Sequence, residues 1–543
     1  MRRIVLILIA LFCFSGDLYA QTQNIYVAQS AAGSANGTSC ANAYAVTFFN
    51  TSSNWAGSFT SGKISPGTTV NLCGNLTTAL TFQGSGISGS PITVLFTTGA
   101  SMSTTVWGTA IKMSNRSYLV VDGGVPCGPT GGTCNGYVAN TNNGTSLGSQ
   151  SASQAIRADP CTNCEVRNLG IYNIYVHSGS NAEIDQTQVN CMVYSGVGFL
   201  VHDNTMHDAG WCLYMDDGNA QNQAVYNNNI YNIDHGIAVT PGGNNATAGP
   251  WYFYGNHVHD YANWDTSSNS YHHDGIHCYT VTSGSAAQKY GAQWQDMWIY
   301  NNRFDGNIGG NVTGHLFLEP GVQTDGTATP CMNASSAIHI FGNLFIGETA
   351  NGTLDLGAGG SWDTLTTPVD FYNNTSFGSE ATDSRQVVFE NVSTVNAINN
   401  IVGGANQLWS GVSFNNTDYN GYITCSTSAS YNCWPTSGMT NNFSTWTSYC
   451  KCDLHSVNDQ QNTGSVNQTT GALLSGSNMI GVGKNLTSAV SAWPTAQQNA
   501  LFTDQNGNAR GSGSWDMGGL SSSSTNASAP NPPTNLAATA TPD

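Results

Sequence analysis

Between about 160 and 405 the chain repeats one pattern: two or three apolar or aromatic residues, one or more Asn, then an apolar residue. Clear copies are Ala224-Val-Tyr-Asn-Asn-Asn-Ile230, Trp298-Ile-Tyr-Asn-Asn-Arg-Phe304 and Ile338-His-Ile-Phe-Gly-Asn-Leu-Phe345, with weaker ones starting at Phe199, Trp251, Val369 and Val395. A second phrase, Gly followed by a short strand, trails several copies: Gly236-Ile-Ala-Val-Thr240, Gly275-Ile-His-Cys-Tyr-Thr280 and Gly314-His-Leu-Phe-Leu-Glu319. Short strands with Asn at the bends and Gly at the corners predict a parallel β-solenoid, each coil burying its inward residues on the coil below. Asn side chains stacked at equivalent bends would hydrogen-bond up the column as a ladder.

The apolar residue after the Asn marks the coil length. Met206, Ile230 and Val258 lie 24 and 28 residues apart, Phe304 and Phe345 follow after 46 and 41, and Ile401 closes the series. Solenoid coils of roughly 20–29 residues are ordinary, so the two long intervals carry insertions of roughly twenty residues each. Insertions on one side of a solenoid tend to build the binding face, so function is expected at about 258–345.

The opening segments Gly67-Thr-Thr-Val-Asn-Leu-Cys-Gly74, Ala79-Leu-Thr-Phe-Gln-Gly84 and Pro91-Ile-Thr-Val-Leu-Phe96, taken with the repeat, resemble the right-handed parallel β-helix, or pectin-lyase-like, superfamily. Gly513-Ser-Trp-Asp-Met-Gly518 is similar to the closing segment of its bacterial members. The resemblance covers roughly 24–520 and implies an all-β, right-handed single-stranded parallel β-helix. The superfamily hosts lyases, hydrolases, esterases and adhesins, so it implies no single activity. After 520 a Ser/Pro-rich tail, 521–543, is extended and assigned no function. Within it, Pro532-Pro-Thr-Asn-Leu-Ala-Ala-Thr539 is similar to the first strand of a fibronectin type III domain.

Composition narrows the class. Charged residues make up 8% of the chain, too few for coiled coils or helical bundles. The net charge of −18 excludes nucleic acid as a partner, because that needs a basic face. Arg2-Arg3, the apolar run 4–14 and a small residue at Ala20 read as a secretory signal peptide over 1–20. The run is too short to span a membrane. The mature chain, expected to be an extracellular monomer with its β-helix domain over 21–520, loses Cys13 and so keeps 14 of the 15 cysteines. An even number in an exported chain suggests disulfides, with Cys127/Cys134 and Cys425/Cys433 as near pairs and Cys161/Cys164 as structural.

Of the 12 His, eight fall between 202 and 277. Aligned on the corner glycines, Asp234-His235-Gly236 sits one coil below His273-Asp274-Gly275, and adjacent strands are about 4.8 Å apart. Asp234, His235, His273 and Asp274 should form one patch, with Ile276 and Cys278 inward and His277 outward above Ala238. The same alternation sets Asp216, His277 and Glu319 along a solvent-facing groove, while His207-Asp208 and His259-Asp260 repeat one pair two coils apart. Asp234, His235, His273, Asp274 and His277 are therefore the candidate catalytic residues, and Asp216, Asp217, Trp264 and Glu319 the candidate substrate contacts. Carboxylates grouped with imidazoles suit glycosidic cleavage, where one acid protonates the leaving oxygen and a second group activates water. Trp251, Trp264, Trp294, Trp298 and Trp362 either offer stacking platforms for sugar rings or close loops over the core.

Asp216-Asp217 and Asp234-His235-Gly236 resemble two polygalacturonase motifs, but no Arg-x-Lys exists and Asn232-Ile-Asp234 follows the Asp pair instead of preceding it. Ile233-Asp234-His235 resembles the end of the Trp-Ile-Asp-His element of pectate lyases, whose Arg-x-Pro-x-x-Arg is missing here. Catalytic residues carry over from neither. Three readings stand. One is a glycoside hydrolase acting on a neutral or weakly charged polysaccharide without metal or cofactor. Another is a calcium-assisted lyase with Asp216, Asp217 and Asp234 as oxygen ligands and Lys289 or Arg303 as base. The last is a non-catalytic glycan-binding surface protein. Scarce Lys and Arg favour the first, since a uronate substrate needs cations.

Overall fold

The structure, a computed structural model, describes residues 21–522 apart from 130–131, 143–151, 175–188, 217–219, 241–246, 262–272, 279–292, 295, 310–311, 319–335, 348–353, 357–364, 379–384, 390–391, 406, 411–415, 426–432, 437–438 and 460–463. The predicted signal peptide and residues 523–543 of the tail lie outside the described residues.

Strands dominate, and nearly all of them pair in parallel. A 14-stranded sheet runs from the short edge strand Tyr44–Ala45, through the N-terminal strand Gln23–Ala28, to Asn416–Asp418 with about one strand per coil, and forms the first face. A 22-stranded sheet supplies two more faces. After each first-face strand the chain bends into a second-face strand, such as His257–His259, and then a third-face strand, such as His273–Cys278. The architecture is a parallel β-helix. In two coils the second and third faces run together, as 12-residue strands Thr205–Asp216 and Asn229–Thr240 bent where Asp208 and Asn232 are left-handed.

Met206, Ile230, Val258, Phe304 and Phe345 pair in succession, as the marker spacing predicts. Ser376 and Val402 come next, so Ile401 stands one residue off the predicted column. The Asn, not the apolar residue, keeps the register. Asn204, Asn228, Asn256, Asn302, Asn343, Asn374, Asn400 and Asn420 are all buried. Each Nδ2 up to Asn400 donates to the Oδ1 of the next Asn at 2.9–3.1 Å. Each also donates to a backbone carbonyl of the coil below, as Asn302 does to Phe253 at 2.8 Å. The residue before the ladder position is left-handed, and Asn227, Gly255, Asn301, Gly342, Asn373 and Asn399 occupy it. That conformation is cheap for Gly and tolerable for Asn and Asp, so six of the eight bends are written Asn-Asn or Gly-Asn, the first being Asp203-Asn204 and the last Tyr419-Asn420, also left-handed.

The N-terminal end is closed by the short helix Val46–Asn50, whose Phe49 packs edge-on against Trp55 and Phe82. At the other end buried Asp453 accepts from Asn420, Tyr422, Trp446 and Ser456, which terminates the ladder. Residues 464–522 then fold back along the second face, where Val466, Met479 and Met517 meet Phe377, Ile401 and Ile423, and along the first. There Leu486, Val490, Leu501 and Trp515 cluster with Tyr254, Tyr300, Phe341 and Tyr372. Trp493 lies against Trp298, Phe341 and Tyr372. Lys484 N donates to Asn399 Oδ1 at 2.7 Å and Gly519 N to Thr375 Oγ1 at 2.8 Å. The segment singled out at 513–518 belongs to this strap.

Disulfides join Cys40 to Cys73, Cys127 to Cys134, Cys161 to Cys164, Cys191 to Cys212 and Cys450 to Cys452, and Cys278 and Cys433 are also disulfide-bonded. The expected pair Cys127–Cys134 is thus present, Cys161 and Cys164 serve structurally as a disulfide, and the side chain of Cys425 lies outside the described residues. Such bonds are compatible with an extracellular protein. Among the described residues no helix is long and apolar enough to cross a membrane.

Candidate active site

Four third-face strands stack in order: Thr205–Asp216, Asn229–Thr240, His273–Cys278 and Val312–Leu318. Trp211 lies beside His235, and His235 beside Asp274. Leu213, Ile237, Ile276 and Leu316 form the inward column, within the main core. Tyr214, Ala238, His277 and Phe317 form the outward one. The corner glycines make this possible. A Cβ on Gly236 would fall 2.8 Å from Val258, and one on Gly275 would fall 2.7 Å from the Phe304 ring. With the corner and the residue after it both turned inward, His235 and His277 emerge on the same outer side.

Asp234 is the hub. Its Oδ2 accepts from Trp211 Nε1 at 3.1 Å and pairs with His235 Nδ1 at 2.9 Å, while Oδ1 pairs with His273 Nδ1 at 2.8 Å. His235 Nε2 lies 3.0 Å from His277 Nδ1 and 3.3 Å from Asp274 Oδ2. His277 Nδ1 is 3.5 Å from that same oxygen, and Asp274 Oδ1 accepts from Gly314 N at 3.2 Å. The His235 ring packs 4.6 Å from Trp211, and His277 packs 4.7 Å from Phe317. Burial opposes ionisation of Asp234, but the His235 and His273 imidazoles override it and hold the carboxyl far below its usual range. Burial also opposes charge on His235, yet Asp234 and Asp274 hold it up at about 10. Both shifts favour the ionic form of the pair, and His235 Nε2 faces Asp274 and His277. His235, Asp274 and His277 are also the group whose ligand atoms converge closely enough to hold a metal ion.

All five predicted catalytic residues are therefore brought together, in the predicted register. They are not on the solvent face: each is at most 5% exposed. Alternation fixes the side of the sheet from which a side chain leaves, not what covers it. Asp216 pairs with Thr240, two residues beyond the His277 column, whose members in the adjacent coils are Ala238 and Phe317. The predicted line Asp216–His277–Glu319 is thus out of register by two. Asp217, Trp264, Glu319, Lys289 and Trp362, and the side chains of Asp216 and Trp294, lie outside the described residues. Trp251 is core, donating to Ala220 O at 2.8 Å, and Trp298 stacks on His339 beneath Trp493. Both pack the fold and neither is a platform. Trp211 was missed, although the 24-residue coil spacing from His235 was there to find it.

Of the calcium ligand set only the Asp234 side chain is described, and its oxygens face N–H donors that would turn hydrogens toward a cation. Arg303 sits on the second face, paired with Asp305 and bonded to Thr469 O at 3.1 Å, away from the cluster. His207 and His259 do occupy matching positions with Tyr231 between them, each bonded to its neighbouring Asp. Tyr172, His207, Tyr231 and His259 stack at 4.4–4.9 Å, so their faces cover one another and are closed to a sugar ring.

Fold and site define a parallel β-helix protein with a buried imidazole–carboxylate centre on its third face. Among solved structures the chain is similar to pectate lyase Pel9A, at 11% identity and TM-score 0.40, covering 92% of this chain and 97% of that one. It is also similar to a tailspike protein of E. coli bacteriophage HK620, at 10% and 0.40, covering 68% and 59%. A third is a mannuronic acid specific polysaccharide family 6 lyase from human gut microbiota, at 12% and 0.30, covering 67% and 82%. No family model and no curated protein matches the chain. The β-helix is established by the chain's own sheets and ladder.

Proposed function

We propose that the protein is a secreted, monomeric polysaccharide-cleaving enzyme, a glycoside hydrolase, with Asp234, His235, His273, Asp274 and His277 as its catalytic cluster. The observation that carries this reading is the run from Asp234 through His235 to Asp274 and His277: a fixed carboxylate, a charged imidazole, then a second carboxylate and a second imidazole at 3.0–3.3 Å. Asp234 sets the orientation and charge of His235, and His273 braces the other oxygen of Asp234. His235 supplies the proton that Asp274 delivers to the leaving glycosidic oxygen, while His277 takes a proton from the water that attacks the anomeric carbon and passes it back to His235. Asp216, Asp217, Trp264 and Glu319 are proposed as substrate contacts. The lyase reading has less support: of its two candidate bases Arg303 is engaged by Asp305, and Lys289 lies outside the described residues. A purely glycan-binding surface has no use for a buried shared-proton cluster. The test is a polysaccharide panel read for both reducing ends and the ultraviolet absorbance of unsaturated products. Hydrolysis raises the first alone, both signals together mean a lyase, and neither means binding only.

A further inference from the structure

His235 Nε2, His277 Nδ1 and Asp274 Oδ2 form a triangle with sides of 3.0, 3.3 and 3.5 Å. Around a tetrahedral ion with bonds of about 2.0–2.1 Å, neighbouring ligand atoms stand about 3.3–3.4 Å apart, so one point lies about 2 Å from all three atoms. The outer contacts match as well. His235 Nδ1 is held by Asp234 Oδ2 at 2.9 Å, which leaves Nε2 to face the triangle, and Asp274 Oδ1 is held by Gly314 N at 3.2 Å. Carboxylate and backbone partners of this kind orient metal ligands and fix the imidazole tautomer. We propose that His235, Asp274 and His277 bind one divalent transition-metal ion, zinc by preference, leaving a fourth position for water or a sugar oxygen. Two imidazoles and one carboxylate suit zinc, whereas calcium wants six or more oxygens. Only the role of the ion rests on the hydrolase reading. There it takes the place of the proton shared by the three atoms and polarises the glycosidic oxygen.

The test uses the full-length protein, stripped with a chelator, dialysed and titrated with ZnCl2 by calorimetry. Metal content before stripping is measured by plasma mass spectrometry. One zinc per chain is expected, and cobalt(II) in its place should show the visible bands of a tetrahedral site. His277→Gln should weaken zinc binding at least about 100-fold, and Asp234→Asn by about 10–100-fold, with circular dichroism unchanged. His259→Gln, on the second face, should leave stoichiometry and affinity as they were. Absence of stoichiometric binding by the folded wild-type protein, or binding that survives both His277→Gln and Asp274→Asn, overturns the proposal. Zinc binding that is lost in His277→Gln while no polysaccharide is cleaved supports this site and fails the hydrolase reading. Cleavage by a protein that binds no zinc supports the hydrolase reading and overturns this one.

Discussion

Replacing Asn256 by Ala removes four hydrogen bonds from the middle of the ladder. Nδ2 no longer reaches Val225 O (2.9 Å) or Asn302 Oδ1 (3.0 Å), and Oδ1 no longer receives Asn228 N (3.1 Å) or Asn228 Nδ2 (3.0 Å). Two of the four partners are cushioned. Asn302 Oδ1 still accepts from Asn256 N, and Asn228 Nδ2 still donates to Val201 O. The Asn228 N–H and the Val225 carbonyl lose their side-chain partner inside the solenoid. At about 1–3 kcal/mol for each of the two buried polar groups so stranded, the expected loss is about 2–6 kcal/mol. Chemical denaturation followed by Trp fluorescence measures it against Asn506→Ala, an exposed Asn on the strap. The double variant Asn256→Ala/Asn302→Ala should lose less than the sum of the singles, by about 1 kcal/mol, because the two residues share a bond. If Asn256→Ala is no worse than Asn506→Ala, or the two ladder substitutions simply add, the ladder is ornamental and the reasoning fails.

Asp274→Asn keeps an oxygen for Gly314 N but loses the acid, so turnover should fall by about 10²–10⁴ while the melting temperature moves little. Loss of folding at normal activity per folded molecule would make Asp274 a corner cap instead. Stability should peak at mildly acidic pH. Burial lowers the His202 pKa, but Asp203 and Glu165 raise it further, so its contribution is complete below about 6.5 and fades as pH climbs through the raised folded value. Burial raises Glu165, but His202 and Arg167 pull it down further, so its contribution is complete above about 4.3 and is lost as pH falls through the lowered folded value. Melting curves of His202→Gln from pH 4 to pH 9 should show a shallower alkaline decline than wild type, the remainder coming from the raised His235 and His339, and a profile parallel to wild type would refute the assignment. Trp493→Ala should cost about 2–4 kcal/mol of packing and open residues 464–522 to limited proteolysis, and an unchanged digestion pattern would mean that the strap is held elsewhere.

The fold is legible because each coil makes the same demand at the same place. Asn204 through Asn420 recur for one physical reason, and Gly236 and Gly275 fix the register that brings His235 beside Asp274. Asp216 fell two residues beyond the His277 column because it was placed by alternation, which fixes the face a residue takes and not its distance along the strand. Ile401 slipped for a similar reason, since after Asn399-Asn400 either of two apolar residues fits the phrase. Burial of the cluster could not be read from the coil pattern, because coils specify faces and not their cover. That His235 Nε2, His277 Nδ1 and Asp274 Oδ2 face one another was hidden too, because aligning the coils groups residues without saying which of their atoms converge. His235 and His277 are 42 residues apart and meet only because one coil lies on the next.

A stack of coils that touch only their neighbours can melt from one end, coil by coil. The returning strap changes that, since its hydrophobic cluster reaches first-face residues from Ala224 to Ile398. The coils between Ala224 and Ile398 cannot peel away one by one until those cross-ties let go, so their opening becomes a joint event and not a zipper. The strap is also the last part of the described chain to be synthesised, and its docking surface exists only once the coils beneath it have stacked. It therefore acts as a latch that checks the assembly it fastens: a mis-registered coil anywhere between Ala224 and Ile398 would spoil its seat and leave the protein open to proteases.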